Sequence, residues 1–346
     1  MTTEKLLIQN LKGQTTHNVP FWFMRQAGRY LPEYRELRAS TKGFLDLCFT
    51  PEKAAEVTLQ PLRRFNMDAA ILFSDILVVP YGLGVDVRFA EGEGPLVGVC
   101  DTQQKIDALD LSTIRAKLEP VAETVRLVKK DLPQGAALIG FAGAPWTVAC
   151  YMQQGRGGKE FLPARKFAIA NPGLMEKLIV TLTSATVDYL RMQIDAGAEV
   201  VQIFDSWAGL LTPEEFARWV IAPTAIIVKQ LRETDPHIPI IGFAKGGSLQ
   251  LHAYAKYTEV NCIGVDQHTP MEFALASRTS EKQAVQGNLD PLLMACDKDG
   301  ALRAAEEILK ILGNAPCVFN VGHGFIPETP IENVAAVSKL VKEWRR

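Results

Sequence analysis

The sequence contains no CxxC pair. Its six cysteines (Cys48, Cys100, Cys150, Cys262, Cys296 and Cys317) are scattered, which excludes a zinc knuckle and points to reduced core thiols rather than a disulfide framework. It also has no HExxH, no paired His-Cys spacing and no EF-hand acidic loop, so no metal is expected. No apolar run is long enough to span a bilayer. The start, MTTEKLLIQNLKG, lacks the basic segment and apolar stretch of a secretory signal, and a cytoplasmic protein is expected. Positive charge is not in excess either: the formal net charge is -2. That excludes nucleic acid or an anionic membrane as the main partner, and any anion site must be local. No glycine phosphate fingerprint follows an early strand, as a doubly wound nucleotide-binding sheet would require. No linker, internal repeat or low-complexity segment is evident.

What remains is an ordinary globular composition, 346 residues with 47% hydrophobic and 22% charged, enough for one large α/β domain or two average ones. Within it, PFWFMRQAGRYLPEYRELR (20–38) stands out. An apolar run ends abruptly in Arg25, and Arg29, Arg35 and Arg38 follow. Guanidinium forks suit carboxylate or phosphate recognition, so a polyanion site at the end of a buried strand is one reading. The other is a solvated helix whose arginines pair with Glu33 and Glu36.

Eight short apolar runs alternate with helical segments: 20–24, 69–74, 136–142, 199–204, 238–243, 262–265, 284–287 and 317–321. The helices are expected at 51–65, where Thr50-Pro51-Glu52 reads as a cap, and near 113–130, 172–196, 249–257, 300–312 and 331–344, with another opening at Thr212-Pro213-Glu214. Such alternation predicts a parallel sheet, and eight units predict a (β/α)8 TIM barrel. The surplus length fits a hairpin excursion at 78–99 and a long loop at 144–165, whose GRGGKE stretch (155–160) lacks phosphate-loop spacing and reads as a mobile loop or lid.

A barrel collects its chemistry beyond the C-terminal ends of the strands. There stand Arg25, Asp75, the Gly143–Tyr151 stretch, Asp205 with Ser206, Lys245, Asp266, Asn288 with Asp290, and His323. Asp75 is either a partly desolvated reactive carboxylate or a helix cap or arginine partner. Lys245 could form a Schiff base, but an ion pair with Asp266 is the favoured reading. His323, between two glycines, is either a ligand contact or structural, while His252 and His268 read as surface or capping residues.

The blocks PFWFMRQAGRYLPEYRELR, ILFSDILVVPYGLG, GFAGAPWTVACYMQQG, FDSWAGLL, GFAKG, VQGNLDP and FNVGHGFIPETPIENV, in this order over nearly the whole chain, resemble the uroporphyrinogen decarboxylase family. The resemblance implies one (β/α)8 domain over 1–346, usually a cytoplasmic homodimer, working without metal or organic cofactor. It implies removal of the four acetate carboxyls of uroporphyrinogen III to give coproporphyrinogen III. It places substrate binding on Arg25, Gln26, Ala27, Gly28 and Arg29, with Arg38 a further carboxylate partner. Asp75 matches the central catalytic carboxylate, and Tyr151, Ser206 and His323 match the remaining binding positions. Trp207 stands where relatives vary, which touches only peripheral packing. Two other classes share these features: zinc-dependent corrinoid methyltransferases of the same superfamily, and a non-catalytic tetrapyrrole carrier.

Overall fold

A computed structural model describes residues 4–90 and 94–346. The apolar runs form a parallel, curled sheet of seven strands in a mixed α/β fold. In chain order the strands are β1 (Ala69–Ile71), β2 (Val87–Ala90), β3 (Gly94–Val97), β4 (Ala137–Gly143), β5 (Val200–Asp205), β6 (Ile240–Ala244), β7 (Cys262–Gly264), β8 (Ala284–Leu289) and β9 (Cys317–Val321). The main sheet runs β1-β4-β5-β6-β7-β8-β9, and β2 pairs antiparallel with β3 apart from it. Every residue of β4, β6, β7, β8 and β9 is buried, as expected of parallel strands covered on both faces by helices.

The expected strand at 20–24 forms no ladder; only Phe21 pairs, with Phe319. Pro20 has no N–H to give, and Arg25 turns left-handed at φ 58°, which ends the extended backbone. The short segment nevertheless bonds both edges of the sheet. Trp22 N donates to Phe319 O (3.3 Å) and Phe319 N to Pro20 O (2.8 Å), while Asp68 N, just before β1, donates to Phe21 O (3.0 Å).

The helices Pro51–Phe65, Ile114–Asp131, Pro172–Asp195, Leu251–Thr258, Lys298–Leu312 and Ile331–Glu343 lie where the periodicity places them. Thr212 and Glu215 form a reciprocal capping box. Thr50 occupies its cap position, but its hydroxyl donates to Asp46 O instead (2.7 Å). Five of the cysteines are buried; Cys296 is exposed.

Two stretches differ from expectation. The long loop at 144–165 is mostly helical, with Pro145–Gln154 and Leu162–Ala170 both helices. Proline opens the first, and the apolar WTVAC that follows is wholly buried, so burial overrides the glycine-rich composition downstream. Between these helices only residues 155–161 are non-helical. The excursion at 78–99 begins as a short helix, Val78–Gly82, before β2 and β3; the turn expected between the strands, at 91–93, lies outside the described residues.

Inside the sheet a polar chain runs from Trp22 Nε1 to Gln286 Oε1 (2.9 Å) and from Gln286 Nε2 to Gln202 Oε1 (3.1 Å). Nearer the strand ends, Phe204 lies edge-on to both Phe141 (5.6 Å) and Phe243 (5.9 Å). Such aromatic pairs contribute about 0.5–1.5 kcal/mol each beyond area burial, and they make a rigid floor below the polar residues that follow the strands.

Candidate active site

The turn after residues 20–24 is held from several sides. The buried Gln26 amide accepts from Phe23 N (3.2 Å) and donates to Ala69 O (3.1 Å), while Gln26 O accepts from Tyr30 Oη (2.7 Å). Tyr30 packs edge-on against Phe325. Arg35, though exposed, donates to the carbonyls of Arg29 (2.7 Å) and Tyr30 (3.1 Å) and so braces the turn. Its backbone pinned in this way, the turn presents the N–H groups of Ala27, Gly28 and Arg29 with no acceptor among the described residues. Successive free N–H groups are an anion-binding feature.

The expected pairing of this cluster with Glu33 and Glu36 does not occur. Glu33 receives a two-point contact from Arg64 (2.8 and 2.9 Å), because the neighbouring helix brings that guanidinium alongside. Among the described residues no carboxylate lies within 4.0 Å of Arg25, Arg29, Arg35 or Arg38. Arg25 and Arg29 are exposed. Arg38 is half-buried, donating to Thr41 Oγ1 (3.0 Å) with its guanidinium 5.5 Å from the Phe44 ring.

Asp75 stands four residues beyond β1. Its Oδ1 accepts from Leu77 N (2.8 Å), and Oδ2 has no partner among the described residues. Burial pushes the carboxyl up to about 6, against the Leu77 hydrogen bond and the Arg25 charge. The same guanidinium acts on two other groups. Burial, then Lys245, then Arg25 press His323 down to about 3, so its imidazole is neutral at physiological pH. The Tyr151 phenol is raised by burial first and by Asp75, with Trp207 and Arg25 opposing. Asp75, Tyr151 and His323, which come from three separate parts of the chain, thus share the surroundings of Arg25. Ser206, next after β5, is half-buried with a hydroxyl that has no partner among the described residues. Arg38 and Asp75 act on one buried thiol: after burial, Cys48 is raised by Asp75 and lowered by Arg38.

Other strand-end residues serve the fold. Asp266 accepts from Gly246 N (2.5 Å) and His268 N (2.9 Å), so the expected Lys245–Asp266 ion pair is absent: the carboxylate is taken by nearby main-chain donors. Asn288 donates to Asp266 O and Thr269 O, and Asp290 caps the helix Pro291–Cys296. Asp205 is buried, accepting from Thr147 Oγ1 (2.5 Å). His252 is exposed and bonds Ser277 O.

Two participants have a larger part than the sequence reading gives them. Trp207 is not peripheral, since its ring lies 4.7 Å from Phe161 and its buried indole N–H, without an acceptor in bonding geometry, lies near the Tyr151 phenol. Gly324 underlies the Arg25 side chain; the glycine beside His323 was the available signal.

The uroporphyrinogen decarboxylase (URO-D) family model matches residues 2–344. The chain belongs to the uroporphyrinogen decarboxylase family. It is 49% identical over 342 residues to the uroporphyrinogen decarboxylase of Chelativorans sp., covering 99% of both chains. It is 51% identical over 339 residues to that of Acidiphilium cryptum, covering 98% of this chain and 94% of the relative. A methyltransferase from Methanosarcina mazei shares the fold, with TM-score 0.81 at 18% identity over 98% of this chain and 99% of the other. At that identity the likeness speaks for architecture alone, so the site of this family member rests on its own residues.

Proposed function

We propose that the chain removes the four acetate carboxyls of uroporphyrinogen III, giving coproporphyrinogen III and CO2. One observation carries the reading: a desolvated carboxylate, Asp75, stands in the field of the Arg25 guanidinium, which forms no ion pair with any carboxylate among the described residues. The substrate's acetates and propionates are the counter-charges such a site lacks. Arg25, Arg29 and Arg38, with the N–H groups of Ala27 and Gly28, hold carboxylates; each charge-assisted hydrogen bond contributes about 1.5–3 kcal/mol. Gln26 shapes the turn that presents them. Tyr151, Ser206 and the neutral imidazole of His323 complete the polar lining.

The chemistry needs an electron sink. A proton adds to the pyrrole α-carbon next to the one that bears the acetate arm, leaving a ring cation conjugated to the arm-bearing carbon. The bond between the arm's methylene and its carboxylate breaks, CO2 leaves, and the electron pair enters the ring. A second proton then adds to the exocyclic carbon while the first leaves the ring, so each cycle consumes one proton and converts an acetate to a methyl. Asp75, anionic above about pH 6, accepts hydrogen bonds from pyrrole N–H groups and stabilises the cation. Groups placed this way contribute about 3–4 kcal/mol to the transition state, and binding of the propionates orients the reacting arm. The ring does what an organic cofactor or metal would otherwise supply.

The same reading makes residues 1–346 one closed (β/α)8 barrel, with 20–24 as the remaining stave. The β2–β3 pair is an insertion in it, and the active unit is a cytoplasmic homodimer. No helix among the described residues is long and apolar enough to cross a membrane. The test is anaerobic incubation of the chelator-treated protein with uroporphyrinogen III. Stepwise products of seven, six, five and four carboxyls are expected, with one CO2 per step. Loss of activity on chelation would favour a metal-dependent transferase, and binding without CO2 release a carrier.

A further inference from the structure

Lys245, directly after β6, is a cation without a counter-charge among the described residues. Its main chain is fixed on both sides: Lys245 N donates to Asp205 O (3.0 Å), and Lys245 O accepts from Gly209 N (2.9 Å). The direction of its side chain follows from strand alternation. A β-carbon on Gly242 would stand 2.8 Å from Tyr254 Cε1 on the outer helix Leu251–Thr258, so position 242 faces outward. Phe243 and Lys245, by alternation, point the other way. Phe243 confirms the direction by packing on Phe204, which shares a side of β5 with the interior Gln202. Lys245 thereby continues the inward row above the aromatic floor.

Nothing among the described residues neutralises it there. No carboxylate among the described residues lies within 4.0 Å of its ammonium. Asp205, level with Ala244 in the sheet, faces outward to Thr147, and Asp266 is occupied by main-chain donors. A half-buried ammonium without a partner loses hydration with no return, which makes little sense in the protein alone. Lys245 also acts on His323 more strongly than Arg25 does, so its charge borders the same space.

We propose that Lys245 binds a carboxylate of the tetrapyrrole, holding the β6 side of the ligand as Arg25 and Arg29 hold the other. The inference rests on the decarboxylase reading above. Uroporphyrinogen carries no aldehyde or ketone with which an amine could condense, so the role is that of a point charge and not a Schiff base.

The variants are Lys245→Met, which keeps most of the stem, and Lys245→Arg, which keeps the charge. Lys245→Met is expected to raise KM for uroporphyrinogen about tenfold, equivalent to about 1.4 kcal/mol, and to flatten its dependence on salt. Lys245→Arg restores most of both. A second measurement uses the unaltered protein: bound coproporphyrinogen slows acylation of Lys245 but not of the exposed Lys229. Unchanged KM and salt dependence in Lys245→Met, or equal acylation with and without ligand, overturns the proposal. Wild-type turnover separates the two levels: if the wild type releases CO2 and Lys245 has no effect, only this inference fails. A wild type that releases none removes the reading beneath it.

Discussion

The stem of Arg25 lies across Gly324, so close that a β-carbon at 324 would stand 2.5 Å from Arg25 Cγ and 2.8 Å from Nε. Gly324 therefore helps to decide where the Arg25 guanidinium sits, and through it the surroundings of Asp75 and His323. Gly324→Ala is expected to displace Arg25 and raise KM by roughly tenfold while costing about 1 kcal/mol or less of stability, because the stem can swing outward. Steady-state kinetics beside thermal melting checks this; unchanged KM would mean that Arg25 is placed by something else.

Arg29 and Arg35 lie six residues apart and have different work. Arg35 braces carbonyls of the turn, whereas Arg29 is exposed and without a carboxylate partner among the described residues. Arg29→Ala should weaken product binding about tenfold and reduce its salt dependence while leaving the melting temperature unchanged. Arg35→Ala should lower the melting temperature by a few degrees, the effect of about 1 kcal/mol. Titration with coproporphyrinogen at several salt concentrations separates them. An Arg29→Ala protein that binds normally would return the cluster to a solvated face.

Asp205 makes stability depend on pH. Burial holds its carboxyl at about 7 in the folded protein, against about 3.9 unfolded. The folded state therefore keeps a proton that the unfolded state has released, and stability falls as pH rises from about 4 to about 7. His323, held at about 3 when folded, works the other way, since its contribution is lost as pH falls through about 6.5. Asp205→Asn should reduce the decline between pH 4 and 7, leaving the part due to Asp68 and Asp75, both held up at about 6, and the histidine-driven loss on acidification. Urea midpoints across that range read the slope; an unaltered slope means that Asp205 does not titrate there.

Activity should carry the mark of Asp75. Because its carboxyl is held at about 6 and the anion is the working form, kcat/KM should rise tenfold per pH unit below about 6 and level off above it. His323, neutral throughout, adds no limb near neutrality. A profile flat from pH 5 to 8 would contradict the assignment.

The strand ends were legible because each closes a recognisable apolar run; that alone collected Arg25, Asp75, Ser206, Lys245 and His323. What stayed hidden depends on partners distant in sequence or on the main chain. Gln26 reads as a ligand contact until its amide is seen bonding Ala69 O, 43 residues on. Lys245 and Asp266 are a natural ion pair on paper, but the carboxylate finds N–H groups of adjacent turns first. The helix Pro145–Gln154 was masked by the glycines following it, although its apolar stretch is the part that burial acts on.

The central claim is that arginines hold the substrate while Asp75 promotes its reaction. The direct measurement sets single-turnover CO2 release from uroporphyrinogen III beside equilibrium binding of coproporphyrinogen, for the wild type and Asp75→Asn. The account predicts release slowed at least about a hundredfold, with product affinity within about threefold of wild type, a difference of about 0.7 kcal/mol. Release at the wild-type rate would contradict it and move the chemistry away from Asp75.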